Sequence, residues 1–487
     1  MATAFASRTA GAAAAELVAG AREAQRAWAG LPLQRRIRVI RELRDGIARN
    51  TASLLQAVGE ARHSSAREVL TSEILPLADA CKFAEKIAPK LLASNRPSQR
   101  LRPFWLAGVK LEIARDPLGL VLVVGPSNYP LFIPGVQVIQ ALMAGNAIVL
   151  KPGHGGSAAA AVLRELALAA GVPGELFQVT SEADSEVYDW LQAGVDKVVV
   201  TGSSSTGREI LRMAAETLTP VTAELSGCDA AFVLASADIE TAARALAFGL
   251  GLNASRTCMR PHRVLVHRSR SEESLRSLQR QVMNLQTTLD RQTAMLLQQL
   301  ISGAEREGAR VSCGYIDHSG ETGAFVLTSV SPRSELWAAD IFAPVLAVAE
   351  FESVADAVRM HAACPYALSA SIFGSEGEAL QLAGNLNVGS VVINDVIVPT
   401  ADPRVPFGGR NESGFGTTRG AEGLLEFTRP KAICVRRSNY KHLEVPHAAD
   451  GQMFRGLIQA THSRGWRQRT SGLVSALRAI VTRNRER

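Results

Sequence analysis

Asn253-Ala254-Ser255-Arg256-Thr257-Cys258-Met259-Arg260-Pro261 places one cysteine among loop-forming residues, directly ahead of the β-rich run Val264-Leu265-Val266. A chain that turns into a strand in this way can present a thiol at the rim of a sheet as a nucleophile. A lone cysteine is more often a small buried hydrophobe than a reagent. The residues around Cys258 decide between the two.

Three other stretches supply what a reacting thiol needs. Residues 121–130, VLVVGPSNYP, read as a buried strand running into a Pro-bounded loop, and the loop carries Asn128, whose carboxamide is a neutral donor suited to a developing oxyanion. Residues 198–208, VVVTGSSSTGR, read as strand, Gly/Ser loop and helix start, which offers backbone N–H groups to phosphate. Residues 222–227, TAELSG, set Glu224 among small and apolar neighbours, where burial tunes a carboxylate towards general-base work.

In order and spacing these fragments resemble the aldehyde dehydrogenase superfamily. The asparagine loop, the Lys151-Pro152 pair, the Gly202-Ser203 phosphate loop, the Glu224 motif and the Cys258 loop follow one another as in that family. Residues 340–345, DIFAPV, and the glycine-rich Pro406–Gly409 and Ser413–Gly416 add two more motifs, so the resemblance spans residues 10 to 435. It implies an α/β fold with a variant Rossmann cofactor domain (1–100 and 116–227), an α/β catalytic domain (228–393) and a small β oligomerisation arm (101–115 and 394–440). A tail, 441–487, lies beyond it.

The resemblance also implies a site and a reaction: NAD(P)-dependent oxidation of an aldehyde to a carboxylate, with no metal. Cys258 is the nucleophile, Asn128 holds the oxyanion, and Glu224 activates the water that opens a thioester. For NAD or NADP, Gly202 and Ser203 match positions that meet the pyrophosphate, and Lys151 the one that bonds the adenosine ribose. Asp340 stands where a glutamate usually holds the nicotinamide ribose, Phe342 packs by the nicotinamide ring, and Ser127 (usually tryptophan), His154 and Leu225 complete the cofactor positions. NAD-preferring relatives often carry a glutamate at the place of His154, which repels a 2′-phosphate, so NADP is expected to be at least tolerated, with NAD still possible. The implied partners are an aldehyde, with hydrophobic or long-chain ones included, and further copies of the chain in a homodimer or homotetramer. A thioester-releasing or acyl-phosphate-reducing relative, or a non-catalytic scaffold on the same fold, stays open as the alternative.

The chain departs from the family pattern at Ser226, which replaces a glycine, at Ser255-Arg256, which replace Gly-Gln, and at Thr180–Asp184, which has lost its customary glycines. Arg256 either lowers the pKa of the thiol beside it or turns away into solvent or towards an acid.

Bulk properties narrow the class. At 487 residues two or three domains are expected, and 47% hydrophobic content with 40 glycines suits a soluble α/β enzyme. No apolar run approaches a membrane span, the N-terminus lacks the apolar core of a secretory signal, and six scattered cysteines favour a reducing compartment over zinc or a disulfide framework, so a cytoplasmic location is expected. The net charge is +7, but residues 441–487 hold nine Lys/Arg against three acids and so contribute six of the seven charges. The body is near neutral, which gives no support to a nucleic-acid face. Within the tail, Leu473, Val474, Leu477, Ile480 and Val481 recur at helical spacing beside arginines, and Met453, Phe454, Leu457 and Ile458 form a shorter stripe. Basic amphipathic helices of this kind suit an anionic membrane surface, the mouth of a substrate tunnel, or docking on the enzyme itself.

Local patterns predict helices over 8–95, with Ile37, Ile40, Leu43 and Ile47 as a buried stripe and Arg35-Arg36 on its wet face. A strand pair is expected over 101–115, then alternating strands and helices from 119 to 225. A second α/β region follows, with strands near 231, 264 and 345 and helices near 239–251, 272–302 and 353–362. No GxGxxG occurs.

Overall fold

Runs of β-branched residues bounded by glycine and proline form the centres of two mostly parallel sheets. In the first, Leu120–Val124, Ala147–Lys151 and Lys197–Thr201 are buried at every position, as strands covered on both faces must be, so no polar alternation marks them. The computed structural model describes residues 2–62, 65–103, 106, 108–437 and 448–485. They fall into two units, Met1–Asn95 with Ile113–Ala432 and Arg96–Glu112 with Ile433–Arg487. Residues 394–432, joined to an arm in the sequence expectation, thus fall in the first unit.

Across the first unit's six-stranded sheet the order is Gly414–Phe415, Val221–Glu224, Lys197–Thr201, Leu120–Val124, Ala147–Lys151 and Phe177–Val179. All pairs are parallel except that of Gly414–Phe415 with Val221–Glu224. The seven-stranded sheet runs Arg310–Cys313, Phe325–Thr328, Val345–Phe351, Pro261–His267, Asp229–Val233, Ser369–Phe373 and Ser390–Ile393, antiparallel only at its first pair. In a parallel sheet ligands gather beyond the carboxyl ends of the strands. In the first sheet those ends carry Lys151, Gly202 and Leu225, while Cys258 comes just before the strand Pro261–His267 of the second.

Helices cover the N-terminal region as expected, and Ile37, Ile40, Leu43 and Ile47 of Leu33–Arg49 are buried. Each fully buried aliphatic side chain contributes about 1.5–3 kcal/mol. Arg36 is not on the wet face: it is buried, and its guanidinium donates to the carbonyls of Met143 and Ala29, both at 3.1 Å. Met143 lies in the last turn of the helix Phe132–Ala144, where unpaired carbonyls attract a cation.

Two other elements differ from expectation. The expected helix 272–302 is two helices, Ser271–Val282 and Arg291–Arg306, split by the short strand Gln286–Thr288. Asp290 caps the second by accepting from Thr293 N at 2.9 Å, a local signal that restarts the helix. In place of a strand pair over 101–115, the described residues form a 3₁₀ turn, Gln99–Leu101, and one strand, Val109–Pro117.

In the second unit, Asp450–His462 and Trp466–Arg485 form an antiparallel helical hairpin. Its seam is made of small residues: a Cβ on Gly456 would stand 2.6 Å from Gly472 O, and one on Gly472 would stand 2.6 Å from Ala460 N. The large apolar residues Phe454, Ile458, Leu473, Val474, Leu477 and Val481 are left exposed, and Ile480 is half-buried. Among the described residues no helix is long and apolar enough to cross a membrane.

Candidate active site

The loop before Cys258 is bent by three successive non-glycine residues in the left-handed region, Asn253 (φ 52°), Ala254 (φ 50°) and Ser255 (φ 67°). Such residues cost about 1–3 kcal/mol each and persist only where the surroundings fix them. Here Asn253 Nδ2 donates to Asn128 O at 2.9 Å, Ser255 Oγ donates to Leu250 O at 2.6 Å, and Asn253 N donates to the Glu68 carboxylate. Buried Arg260 completes the clamp: Nε reaches Ser255 O at 3.1 Å, Nη1 Val345 O at 3.2 Å and Nη2 Ile341 O at 2.6 Å. Arg260 therefore ties the thiol loop to the segment carrying Asp340 and Phe342. Burial lowers its pKa to about 10, still well above neutral pH.

Opposite the thiol, Asn128 is buried, and its Nδ2 donates one hydrogen to Arg256 O at 2.8 Å. A carboxamide has two such hydrogens, so the side chain is oriented with one still to give. Glu224 Oε1 lies 4.0 Å from Cys258 Sγ, and Thr201 Oγ1 donates to Glu224 Oε2 at 3.4 Å. Gln137 Nε2 donates to that hydroxyl at 3.3 Å, which turns its proton towards the carboxylate.

Electrostatics set the resting protonation. Burial pushes Glu224 up to about 7, against Arg419 and the Thr201 hydrogen bond. Burial also pushes the Cys258 thiol well up, helped by the negative charges of Glu224 and Asp229 and opposed by Arg419. Arg419 is a cation that opposes the rise of the thiol. Arg419 lies in the glycine-rich C-terminal stretch, with Nη1 donating to Thr400 O at 2.7 Å and the guanidinium 4.1 Å from the Phe407 ring centroid. None of the ion pairs among the described residues involves it. Arg419, Thr201, Gln137 and Arg260 are absent from the sequence-derived site.

Two cavities meet at this pair. All eleven residues singled out from the sequence, Cys258, Glu224, Asn128, Ser127, Lys151, His154, Gly202, Ser203, Leu225, Asp340 and Phe342, line one of about 460 Å³. The second, about 180 Å³, is walled by Tyr129, Phe132, Phe248, Met259, Val398 and Phe407 and also contains Cys258, Glu224 and Arg419. Ile397, at φ 53°, ψ −60°, holds that wall in a tight turn unusual for a β-branched residue.

The larger cavity fits a dinucleotide. The helix Ser204–Glu216 begins at Ser203, whose Oγ accepts Thr206 N at 3.1 Å, and its first N–H groups suit a pyrophosphate. A Cβ on Gly153 would fall 2.3 Å from Pro126 C, so only glycine lets the Lys151 and Ser127 loops approach this closely. At the far end, Lys151 Nζ donates to Asp184 Oδ1 at 2.9 Å. There Glu182 accepts from Gly155 N (2.9 Å), Ser157 N (3.0 Å) and Ser157 Oγ (2.7 Å).

Parallel sheets with a cleft along their strand ends, lined by a thiol, a buried carboxylate and an oriented carboxamide, have the architecture of a dehydrogenase. The chain belongs to the aldehyde dehydrogenase family, whose model matches residues 3–433. It is 29% identical over 451 residues to a 4,4′-diapolycopene aldehyde oxidase of a Methylomonas species, covering 90% of this chain and 85% of that one. It superposes on an NAD-dependent aldehyde dehydrogenase from Sinorhizobium meliloti with a TM-score of 0.82 at 26% identity, covering 89% of each. It shares its fold with an NADP-dependent glyceraldehyde-3-phosphate dehydrogenase from Bacillus halodurans (TM-score 0.81, 24% identity, 88% and 92% covered). The chain is an enzyme of the NAD(P)-dependent aldehyde dehydrogenase type, as the resemblance implied.

Proposed function

We propose that the chain converts an aldehyde to a carboxylate through a thiohemiacetal and a thioester on Cys258, and that hydrophobic, long-chain aldehydes are among its substrates. The observation that carries this is the meeting of two cavities, one polar and dinucleotide-sized, the other apolar, at a thiol and a carboxylate 4.0 Å apart. The thiol starts protonated, and Glu224 is within reach to take its proton. Sγ then adds to the carbonyl carbon, and the oxygen that becomes an alkoxide is held by the second Nδ2 hydrogen of Asn128. Lys151, Gly202, Ser203, Leu225, Asp340 and Phe342 would hold the dinucleotide, which would supply the acceptor for the hydride. With the hydride gone, the carbon is a thioester carbonyl. Once the thiol's proton has passed from Glu224 to solvent, the carboxylate removes a proton from water, the hydroxide adds to that carbonyl, and the C–S bond breaks to release the acid and the thiolate, which takes a proton back from Glu224.

The aromatic and aliphatic wall of the smaller cavity supports apolar substrates, as does a relative named for a 4,4′-diapolycopene aldehyde. The exposed apolar residues of the tail hairpin, interleaved with Arg455 and Arg478, support peripheral contact with an anionic membrane, where such aldehydes partition. A panel of straight-chain aldehydes followed by NAD(P)H absorbance tests the reading. kcat/KM should rise with chain length, and a preference for the shortest members would overturn the substrate class.

A further inference from the structure

The charge absent at His154 is restored by another loop. Lys151 ends its strand, and the adjacent parallel strand Phe177–Val179 runs into the loop Thr180–Asp184, which lies over the start of the helix Ser157–Ala169. Glu182 plugs that start: besides its three hydrogen bonds from Gly155 and Ser157, it stands 3.5 Å from His154 Nδ1. These hydrogen bonds hold its carboxyl below the usual range, so it is ionised at neutral pH. Lys151 is in turn engaged by Asp184. A helix start flanked by a lysine and a histidine is a ready phosphate site, and here the chain's own carboxylate fills it.

The sheet order shows which part of the dinucleotide lies there. Glu224 and Lys151 end strands separated by two others, three steps of about 4.8 Å, so the thiol end and the Lys151 end of the cavity are about 14 Å apart. With the reacting ring at Cys258, the opposite, adenosine end falls at Lys151, His154 and Asp184, which line the same cavity. A 2′-hydroxyl there can donate to Asp184, whereas a 2′-phosphate of about −2 charge meets the Asp184 carboxylate, the field of Glu182 seated at the adjoining helix start, and a lysine already paired.

We propose that Glu182, seconded by Asp184, selects against a 2′-phosphate and makes the enzyme NAD-selective. The inference rests on the dinucleotide placement proposed above. It reverses the expectation drawn from His154 alone, because the missing charge arrives from a loop 28 residues downstream.

Direct titration of the full chain with NADH and with NADPH, followed by nucleotide fluorescence, tests it without turnover. Wild type should bind NADH at least about 30-fold tighter than NADPH. Glu182→Gln, which keeps hydrogen-bonding capacity and shape, should narrow the ratio at least about fivefold, and Glu182→Gln with Asp184→Asn should bring it near parity. Circular dichroism of each variant establishes that it is folded. NADPH binding within about threefold of NADH in wild type, or an unchanged ratio in folded Glu182→Gln, overturns the inference while leaving the placement intact. Binding of neither nucleotide overturns both.

Discussion

Replacing Arg419 by methionine removes a cation that opposes the upward shift of both Glu224 and Cys258. Burial lifts Glu224 from the ordinary carboxylate range to about 7. The base works only as the carboxylate, so thioester hydrolysis should rise with pH through about 7, with about one-tenth of the sites active at pH 6 and about nine-tenths at pH 8. A nearby opposite charge typically depresses a carboxylate by about 1–3 units. Taking the lower figure, Arg419→Met moves the acidic limb of the kcat profile up by about one unit. At pH 7 the base fraction falls from about one-half to about one-tenth, a loss of about fivefold that is largely recovered by pH 9. The assay is kcat at saturating aldehyde and dinucleotide from pH 5.5 to 9.5, with Arg419→Lys as the charge-retaining control. A loss of equal size at every pH, or a limb that stays in place, would refute the electrostatic argument and leave Arg419 as packing against Phe407.

Asn128→Ala should lower kcat by about 10²–10³-fold, since it removes the oriented oxyanion donor; a loss below about tenfold in a folded variant would leave the donor role unsupported. Gly153→Ala should lower the melting temperature and weaken NADH binding together, because the added Cβ would stand 2.3 Å from Pro126 C; calorimetry and nucleotide titration read both. Deleting residues 445–487 should spare short soluble aldehydes, lower activity on long-chain ones and reduce sedimentation with anionic liposomes. Unchanged binding and an unchanged chain-length profile in a folded truncation would reduce the hairpin to packing.

What was legible in the sequence is what is encoded locally. A fully buried parallel strand must be a continuous apolar run, so Leu120–Val124 and Lys197–Thr201 stand out, as do the loops at their ends with Asn128 and Gly202. Cys258 and Glu224 sit in short local motifs, and all eleven residues named from the motifs share one cavity. What was hidden depends on tertiary packing. Arg419 is 195 residues from Glu224 in the chain, and nothing in Thr418-Arg419-Gly420 signals that its half-buried side chain lines a cavity with a carboxylate and a thiol. Arg36 is adjacent to a genuinely exposed Arg35, and only the carbonyls at the end of the helix Phe132–Ala144 make its burial favourable. Glu182 lay in a loop noted for missing glycines, but its meaning required seeing which helix start the loop covers. In the tail the amphipathic spacing was read correctly as helical, yet the hairpin seam runs through Gly456 and Gly472 and leaves most of the large apolar residues outside.

The central claim is that one thiol carries the acyl group and one carboxylate releases it. Mass spectrometry of Glu224→Gln after a short incubation with aldehyde and dinucleotide tests it most directly. The account predicts a stoichiometric burst of reduced nucleotide and an acyl group on the peptide containing Cys258, absent in Cys258→Ala. Normal turnover by Glu224→Gln, or an acyl group found elsewhere, would contradict it.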